Sequence, residues 1–510
     1  MSEVVWRADR LFKTVRSIEN RLPRLEEEAA AVCTTLSGVE VSPQMFRIMG
    51  GMWLMHLVHQ VEALGKTTDG DSEHELQIPL DAWSHHNAFT RSAAYRSQLH
   101  RLISGDRRVI RVQKSCEVVR VAPNKPDWRR RAVEGMLRFA QLPGAEVMIC
   151  RPYLKIPTPQ RLVAAVRTIR QLCWNDLDIE VCSAVTPNLQ LRFALANDVD
   201  SSEPEDLIRR LLPLTMPLGY AEALPDAQTR LHSLRPPRLL YSANANQMHL
   251  PYQIASAMWS GKGTTVVSHQ HGGHQGLDVV HAGEEYEARA SHLHYTFGWS
   301  DHRLNVRPLV TAPPAVNGPM KSDRLLLMTL ADSDSTYRLQ PFCTPDHVQV
   351  VARETRQFLG DLNWSADVVI RGSHSDVEVL QTQHFTRIDD LSISGAMSAS
   401  RAALTVHNYL GMSWLETLAL DIPTVCFIPK GIHKFRASAQ PFADALIRVG
   451  VLHYSGAEAA KFVNSLRGNP TAWWQSAEVQ EAREAFVARY ANFNDNWLEA
   501  WTDEFERLLS

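Results

Sequence analysis

The chain lacks the cysteine pattern that would cross-link it or hold a zinc ion. Seven cysteines are scattered over 510 residues, with no Cys-x-x-Cys pair, which excludes a disulfide framework and reads as reduced thiols. An excess of charge of one sign is also missing. The 53 Lys+Arg stand against 56 Asp+Glu, a formal charge of −3, so no broad field exists to capture nucleic acid, and nucleic acid is not an expected partner. The short run Arg129-Arg130-Arg131 reads as a solvated face. There is no long hydrophobic run. The most apolar stretch, Met45 to Val61, is interrupted by Arg47, His56 and His59 and falls short of a spanning helix. The first residues, MSEVVWRADR, lack the apolar centre of a signal peptide. Internal repeats and low-complexity tracts are absent too. The expected location is the cytoplasm, with room for peripheral contact with the inner membrane.

What is present is an ordinary globular composition, 45% hydrophobic and 21% charged, in a chain too long for one core. The first sixty residues read as helices, with Ser42 as N-cap and Pro43 at the first helical position. From Glu146 the rhythm becomes strand, helix, strand: 145–150, then 157–173, then 177–183. A long helical segment is expected over 204–234. Next come a strand over 237–243, a helix over 249–259 and a strand over 264–269. The stretch Pro308 to Asp323, rich in Pro and holding an Asn-Gly pair, reads as a linker, which gives domains of 1–312 and 313–510. A second series follows: strands at 324–330, 366–372, 402–408 and 423–428, with helices at 344–359, 395–401 and 413–420. Trp-rich helices over 472–509 close the chain, with packing back across the lobes as their expected role. Such alternation predicts parallel sheets covered on both faces, with ligands at the carboxyl ends of the strands.

Three segments carry residues suited to chemistry. Ser268 to Asp278, SHQHGGHQGLD, follows a strand. Gly272 and Gly273 permit a sharp turn close to a ligand, with Gln270 beside them, and His271 suits an acid, base or phosphate-donor role. His269, His271 and His274 have the HxHxxH spacing of binuclear metal sites. The aspartate expected before the last histidine is Gly273, so no metal is assigned. The nearby SGKGTT precedes a strand and lacks the earlier glycine of a phosphate loop, so it reads as a helix-ending turn. In the second segment, Glu284 and Glu287 lie one helical turn apart. Either could help His271 remove an acceptor proton, or both could simply face solvent. In the third, a strand ends near His407 and Asn408, and Gly411 leads to Ser413 at a helix start, where free N–H groups and the dipole favour phosphate. Glu416 follows as a candidate ribose contact, with an ordinary Ser413–Glu416 capping box as the alternative. Arg371, at the end of another strand, is a candidate second phosphate contact.

Together these segments resemble a family of transferases found in bacterial surface-carbohydrate and O-antigen gene sets. The family's Q-H-G-G-G-Y-G loop appears as Gln270-His271-Gly272-Gly273-His274-Gln275-Gly276. Its E-x-H-E, S-D and T-W-G-W blocks appear as Glu284, Tyr286, Glu287, Ser291, His292, Thr296, Phe297, Gly298 and Trp299. The late block resembles Leu410-Gly411-Met412-Ser413-x-Leu415-Glu416, and an early one resembles Phe46-Arg47-Ile48-Met49-Gly50-x-Met52-Trp53-Leu54. The departures at His274-Gln275, Tyr286, His292 and Met412-Ser413 mark a divergent member. The resemblance implies a GT-B-like α/β fold of two Rossmann-like lobes around a central cleft, with extra terminal helices. It further implies glycosyl transfer from a nucleotide-sugar donor in the C-terminal lobe to a glycan or lipid-linked acceptor on the N-terminal side. Lipopolysaccharide or related surface carbohydrate would be the product. Helix dipoles and basic side chains would replace a metal, and no cofactor is expected. The alternatives are a nucleotide-sugar epimerase or hydrolase on the same fold, and a non-catalytic component of a polysaccharide assembly complex.

Overall fold

The computed structural model describes residues 8–64, 76–79, 110–113, 146–151, 172–174, 177, 181, 185–197, 204–316, 322–330, 345–373, 376, 377, 380, 387–466 and 469–510. Most of the helix expected over 157–173 lies outside these residues.

Two six-stranded parallel sheets organise the chain, as expected of a two-lobed, GT-B-like α/β fold. Strands β1 (Leu76–Pro79) and β2 (Ile110–Gln113) form a separate parallel pair. The N-terminal sheet comprises β3 (Val147–Ile149), β4 (Leu172–Trp174), β5 (Leu239–Ser242), β6 (Thr265–His269), β7 (Leu293–Thr296) and β8 (Val306–Pro308), in the order β4-β3-β5-β6-β7-β8. The C-terminal sheet comprises β9 (Leu325–Met328), β10 (Val368–Arg371), β11 (Arg387–Ile388), β12 (Leu404–His407), β13 (Thr424–Phe427) and β14 (Leu452–His453). Its order, β11-β10-β9-β12-β13-β14, reverses direction between β9 and β12, as in doubly wound nucleotide-binding sheets. Strands β5, β9, β12 and β13 are buried at every residue. That burial explains why they read as mostly apolar runs instead of regularly alternating ones.

The two faces of the N-terminal sheet are covered by opposite ends of the chain. Met148 and Leu240 join a core built by the helices Ala8–Ser37, Pro43–Leu64 and Leu250–Ser260. Their neighbours Val147, Ile149, Leu239 and Tyr241 point the other way, onto Trp497, Trp501 and Phe505 of the last helix, Trp497–Leu509. This is the two-residue period of a strand. The last helix therefore belongs structurally with the first lobe, whereas Trp474 packs in the seam core beside Trp414. The chain crosses between lobes twice, and the crossings are bonded together. Thr311 N–H donates to Asn492 O and Asn494 N–H to Thr311 O, each at 3.0 Å.

Local signals hold where they are chemical. Met45 N–H donates to Ser42 Oγ at 3.2 Å, so Ser42 does cap the second helix. The SGKGTT segment is a helix-ending turn, with Gly263 at φ +91° just before β6. The single helix expected over 204–234 is instead two, Pro204–Thr215 and Leu224–His232, separated by a short 3₁₀ turn at Leu218–Tyr220. Pro217 caps that turn and Gly219 packs against Leu250. Strand β4 falls at Leu172–Trp174, the end of a run read as helix, because a short apolar run has no diagnostic period. No helix among the described residues is long and apolar enough to cross a membrane.

Candidate functional site

The loop after β6 meets the loop after β12 at the seam between lobes. A Cβ built on Gly273 would lie 2.5 Å from the Leu410 carbonyl oxygen and closer still to the Gly411 backbone. Only a residue without a side chain fits there, so this glycine is required by packing across the seam. Gly272 has nothing among the described residues within 4 Å of its corresponding position. Gln270 braces the loop from beneath. Its Oε1 accepts from Phe297 N–H at 3.0 Å and Trp299 Nε1–H at 2.8 Å, and its Nε2 donates to Gly272 O at 2.7 Å.

His271 projects from this loop with Nδ1 3.4 Å from Glu287 Oε1; the histidine is partly exposed and the glutamate fully buried. Glu287 is held by two amides: Gln247 Nε2 donates to Oε1 at 2.7 Å and Gln275 Nε2 to Oε2 at 2.8 Å. Burial pushes its carboxyl up to about 8, against the opposing pull of the Gln275 and Gln247 hydrogen bonds. Behind Gln275 stands a buried relay, His294 Nε2 at 3.2 Å from Gln275 Oε1 and His294 Nδ1 at 2.8 Å from Ser268 Oγ. Histidine and carboxyl thus form a pair at the carboxyl end of β6, where doubly wound sheets put their ligands.

Glu284 has a different setting, although it shares a helix, Ala282–Ala290, with Glu287. Its Oε1 accepts from Arg303 and, at 2.8 Å, from Arg436 Nη2, and its Oε2 accepts from Gly276 N–H at 2.8 Å. Burial alone would raise its carboxyl, but the charges of Arg436 and Arg303 bring it down to about 2. An anion so fully engaged holds loop, helix and opposite lobe together and is a poor base. Tyr286, between the two glutamates, is buried with its hydroxyl directed at the carbonyls of Ile48 (2.6 Å) and Asn246 (3.0 Å). It joins the early Arg47-Ile48 block to this helix, and Glu26 bridges Arg47 and Arg289 at 2.8 Å each.

On the C-terminal side, the helix Met412–Ala419 begins at N-cap Gly411, and no side chain caps it. Ser413 is its second residue, not its cap, and lies 3.3 Å from Tyr409 Oη. Glu416 is buried one turn further on. His407 and Asn408 are placed beneath this surface. His407 Nε2 meets Thr417 Oγ1 at 3.2 Å, and burial holds the imidazole down to about 3. Asn408 ties the β9–β12 switch point together, donating to Thr329 Oγ1 at 2.8 Å and accepting from Leu330 N–H at 2.9 Å. Arg371 lies further along the sheet, bonded to Asp389 Oδ2 at 2.6 Å and to the carbonyls of Asp390 and Ile393. The structure thus brings His271, Glu287, Gly273 and Gly411 to one seam, whereas His407, Asn408 and Arg371 already serve the sheet and its edge.

The HxHxxH histidines do not converge. His269 turns away to Tyr241 Oη at 2.9 Å and the Trp501 ring, and burial holds it down to about 3. His274 instead faces Asp278 and, from the other lobe, His433. Sequence reasoning missed the seam residues Asp278, Arg303, His433 and Arg436, because Arg436 and Glu284 lie 152 positions apart and no local spacing relates them.

A model of the LIC12162 family transferases matches residues 37–505. No curated protein matches the chain. Among solved structures, the chain is similar to the glycosyltransferase SnogD from Streptomyces nogalater, with TM-score 0.38, 12% identity, and 72% of this chain and 100% of that chain covered. MurG of Acinetobacter baumannii gives TM-score 0.36, 11% identity, and 72% and 100% coverage. The glycosyltransferase VinC in complex with dTDP gives TM-score 0.35, 14% identity, and 71% and 98% coverage.

Proposed function

The chain belongs to the LIC12162 family of transferases, and from that premise we propose that it moves a glycosyl group from a nucleotide-activated donor to a hydroxyl of a glycan or lipid-linked acceptor. The observation that carries this reading is the His271–Glu287 pair at the carboxyl end of β6, beside the uncapped start of the helix Met412–Ala419. The choice of a sugar rests on the motif resemblance described above.

In this scheme the acceptor oxygen attacks the anomeric carbon, the bond from that carbon to the donor phosphate breaks, and the acceptor proton passes to His271. Glu287 holds Nδ1–H, which leaves Nε2 as the proton-accepting nitrogen and stabilises the imidazolium that forms. The departing phosphate gains charge as the bond breaks. Backbone N–H groups following Gly411 and the positive end of the helix dipole meet that charge, with Ser413 and Glu416 contacting the nucleotide. Glu284 acts on this chemistry only by fixing the loop.

The surface-carbohydrate role, a cytoplasmic site of action and peripheral contact with the inner membrane are parts of the same proposal. The test is a transfer assay with a panel of CMP-, UDP-, GDP- and dTDP-sugars and bacterial glycolipid extracts, comparing the native chain with His271→Asn. Transfer by the native chain and donor binding without transfer by the variant support the reading. Equal transfer by both removes His271 from the mechanism.

A further inference from the structure

A second cluster of ligating side chains lies in the seam, apart from the His271–Glu287 pair. His274 Nδ1 is 3.3 Å from Asp278 Oδ2, and His433 Nδ1 is 3.1 Å from both Asp278 carboxylate oxygens. One ligand atom from each of the three residues lies within 4.8 Å of the others. The side chains are 4%, 1% and 2% exposed, so the cluster is closed to bulk water. The two imidazole planes are stacked, with centroids 5.6 Å apart and 5° between planes.

The backbone prepares this arrangement from both lobes. His274 and Asp278 are four residues apart on a helix-like turn, where Asp278 N–H approaches His274 O at 3.4 Å, so their side chains share a face. His433 is brought from the C-terminal lobe by a short backbone ladder. Val279 N–H donates to Lys434 O at 2.9 Å, Arg436 N–H donates to Leu277 O at 2.8 Å, and Asp278 pairs with Phe435 in an antiparallel bridge.

Two features suit this cluster to a metal ion. A charge-assisted N–H···O bond settles at about 2.7–2.9 Å, whereas the three separations here are 3.1, 3.1 and 3.3 Å. The 3.3 Å separation matches the edge of a tetrahedron built on bonds of about 2.0–2.2 Å to zinc, roughly 3.3–3.6 Å, and the 3.1 Å ones fall just short of it. Charge points the same way. No lysine or arginine side chain is bonded to the Asp278 carboxylate among the described residues, and Arg436 Nε donates to the Asp278 backbone oxygen instead. The cation facing this buried anion is therefore either a protonated imidazole or a metal ion held by neutral ones.

We infer that His274, Asp278 and His433 bind one divalent transition-metal ion of the zinc class, which joins the two lobes. Two imidazoles and a carboxylate suit zinc, cobalt or nickel better than magnesium or calcium, which prefer all-oxygen shells. Among the described residues these three side chains are the ligands that converge here. The site concerns coupling between lobes and stands whether or not the transferred group is a sugar.

The test is a titration of chelator-treated full-length protein with Co²⁺, followed by its visible absorption. One equivalent with the intense bands of a four-coordinate centre, displaced by Zn²⁺ and lost in His433→Gln, is the expected result. Zn²⁺ should also raise the unfolding temperature of the native chain and leave that of His433→Gln unchanged. Should the variant fail to fold, X-ray absorption of the zinc-loaded native protein takes its place, with two imidazoles and a carboxylate expected around the metal. No saturable Co²⁺ band in the native chain, equal binding by a folded His433→Gln, or a thiolate shell would overturn the assignment and leave a hydrogen-bonded clasp.

Discussion

Gly273 in the loop after β6 and Gly411 in the loop after β12 touch backbone to backbone, so that the carboxyl ends of both sheets share one seam. Gly273→Ala therefore drives a methyl group into the opposite lobe. Overpacking of this kind costs about 1–3 kcal/mol, and chemical denaturation should show it together with a loss of activity. Gly272→Ala is the control, because nothing among the described residues lies within 4 Å of its corresponding position. It should leave stability nearly unchanged.

Glu284 and Glu287 lie three residues apart on one helix, yet they should respond to amide substitution in opposite ways. Glu284→Gln leaves Arg303 and Arg436 without their shared buried anion, and breaking such a network costs about 3–5 kcal/mol. Thermal unfolding should register that loss at every pH between 5 and 8. A stable Glu284→Gln protein that binds donor and fails only in turnover would return this residue to the candidate bases.

Glu287 gives the pH dependence. Its folded carboxyl is raised by burial to about 8 from an ordinary 4.5. Stability from this group is fully present below pH 4.5 and is lost as pH rises through about 8, because the unfolded carboxyl ionises first. Catalysis should move the other way. His271 can accept a proton on Nε2 only after the pair has lost one, so kcat/KM should rise with an apparent ionisation near 8 that belongs to the pair as a whole. Glu287→Gln should flatten both profiles, and the stability change is on the order of a few kcal/mol.

Ser413 separates helix stability from phosphate binding. Ser413→Asp places a negative charge in the first turn of the helix Met412–Ala419, which favours the dipole by about 0.3–1 kcal/mol. The same charge repels a donor phosphate, and donor affinity should fall by about tenfold or more. Unfolding and calorimetric titration of one variant read both effects. A variant whose affinity holds would place the phosphate elsewhere.

What could be read from the sequence was decided by burial and by distance along the chain. Strands β9, β12 and β13 declare themselves because both faces are covered, which makes Leu325–Met328 wholly apolar and Leu404–His407 and Thr424–Phe427 rich in Leu, Val and Phe without polar alternation. The His271–Gly273 loop was legible because it follows one such strand, and Ser42 because capping is local chemistry. The roles of His407 and Asn408 were not. Their places at a strand end were clear, but whether a side chain turns up to the seam or down to Thr417 and Thr329 is set by packing. The approach of His433 to Asp278 joins residues 155 positions apart, and the last helix returns to the first lobe through Trp501 and Tyr241. Spacing carries no trace of the first, whereas the Trp-rich composition of 472–509 does point to helices that pack back across the lobes.

Isothermal titration of the native chain with CMP-, UDP-, GDP- and dTDP-sugars shows whether it holds a nucleotide-sugar donor. One nucleotide class is expected to bind at one site per chain, with affinity kept in His271→Asn and lowered in Ser413→Asp. Heats no greater than dilution for every donor would contradict that expectation.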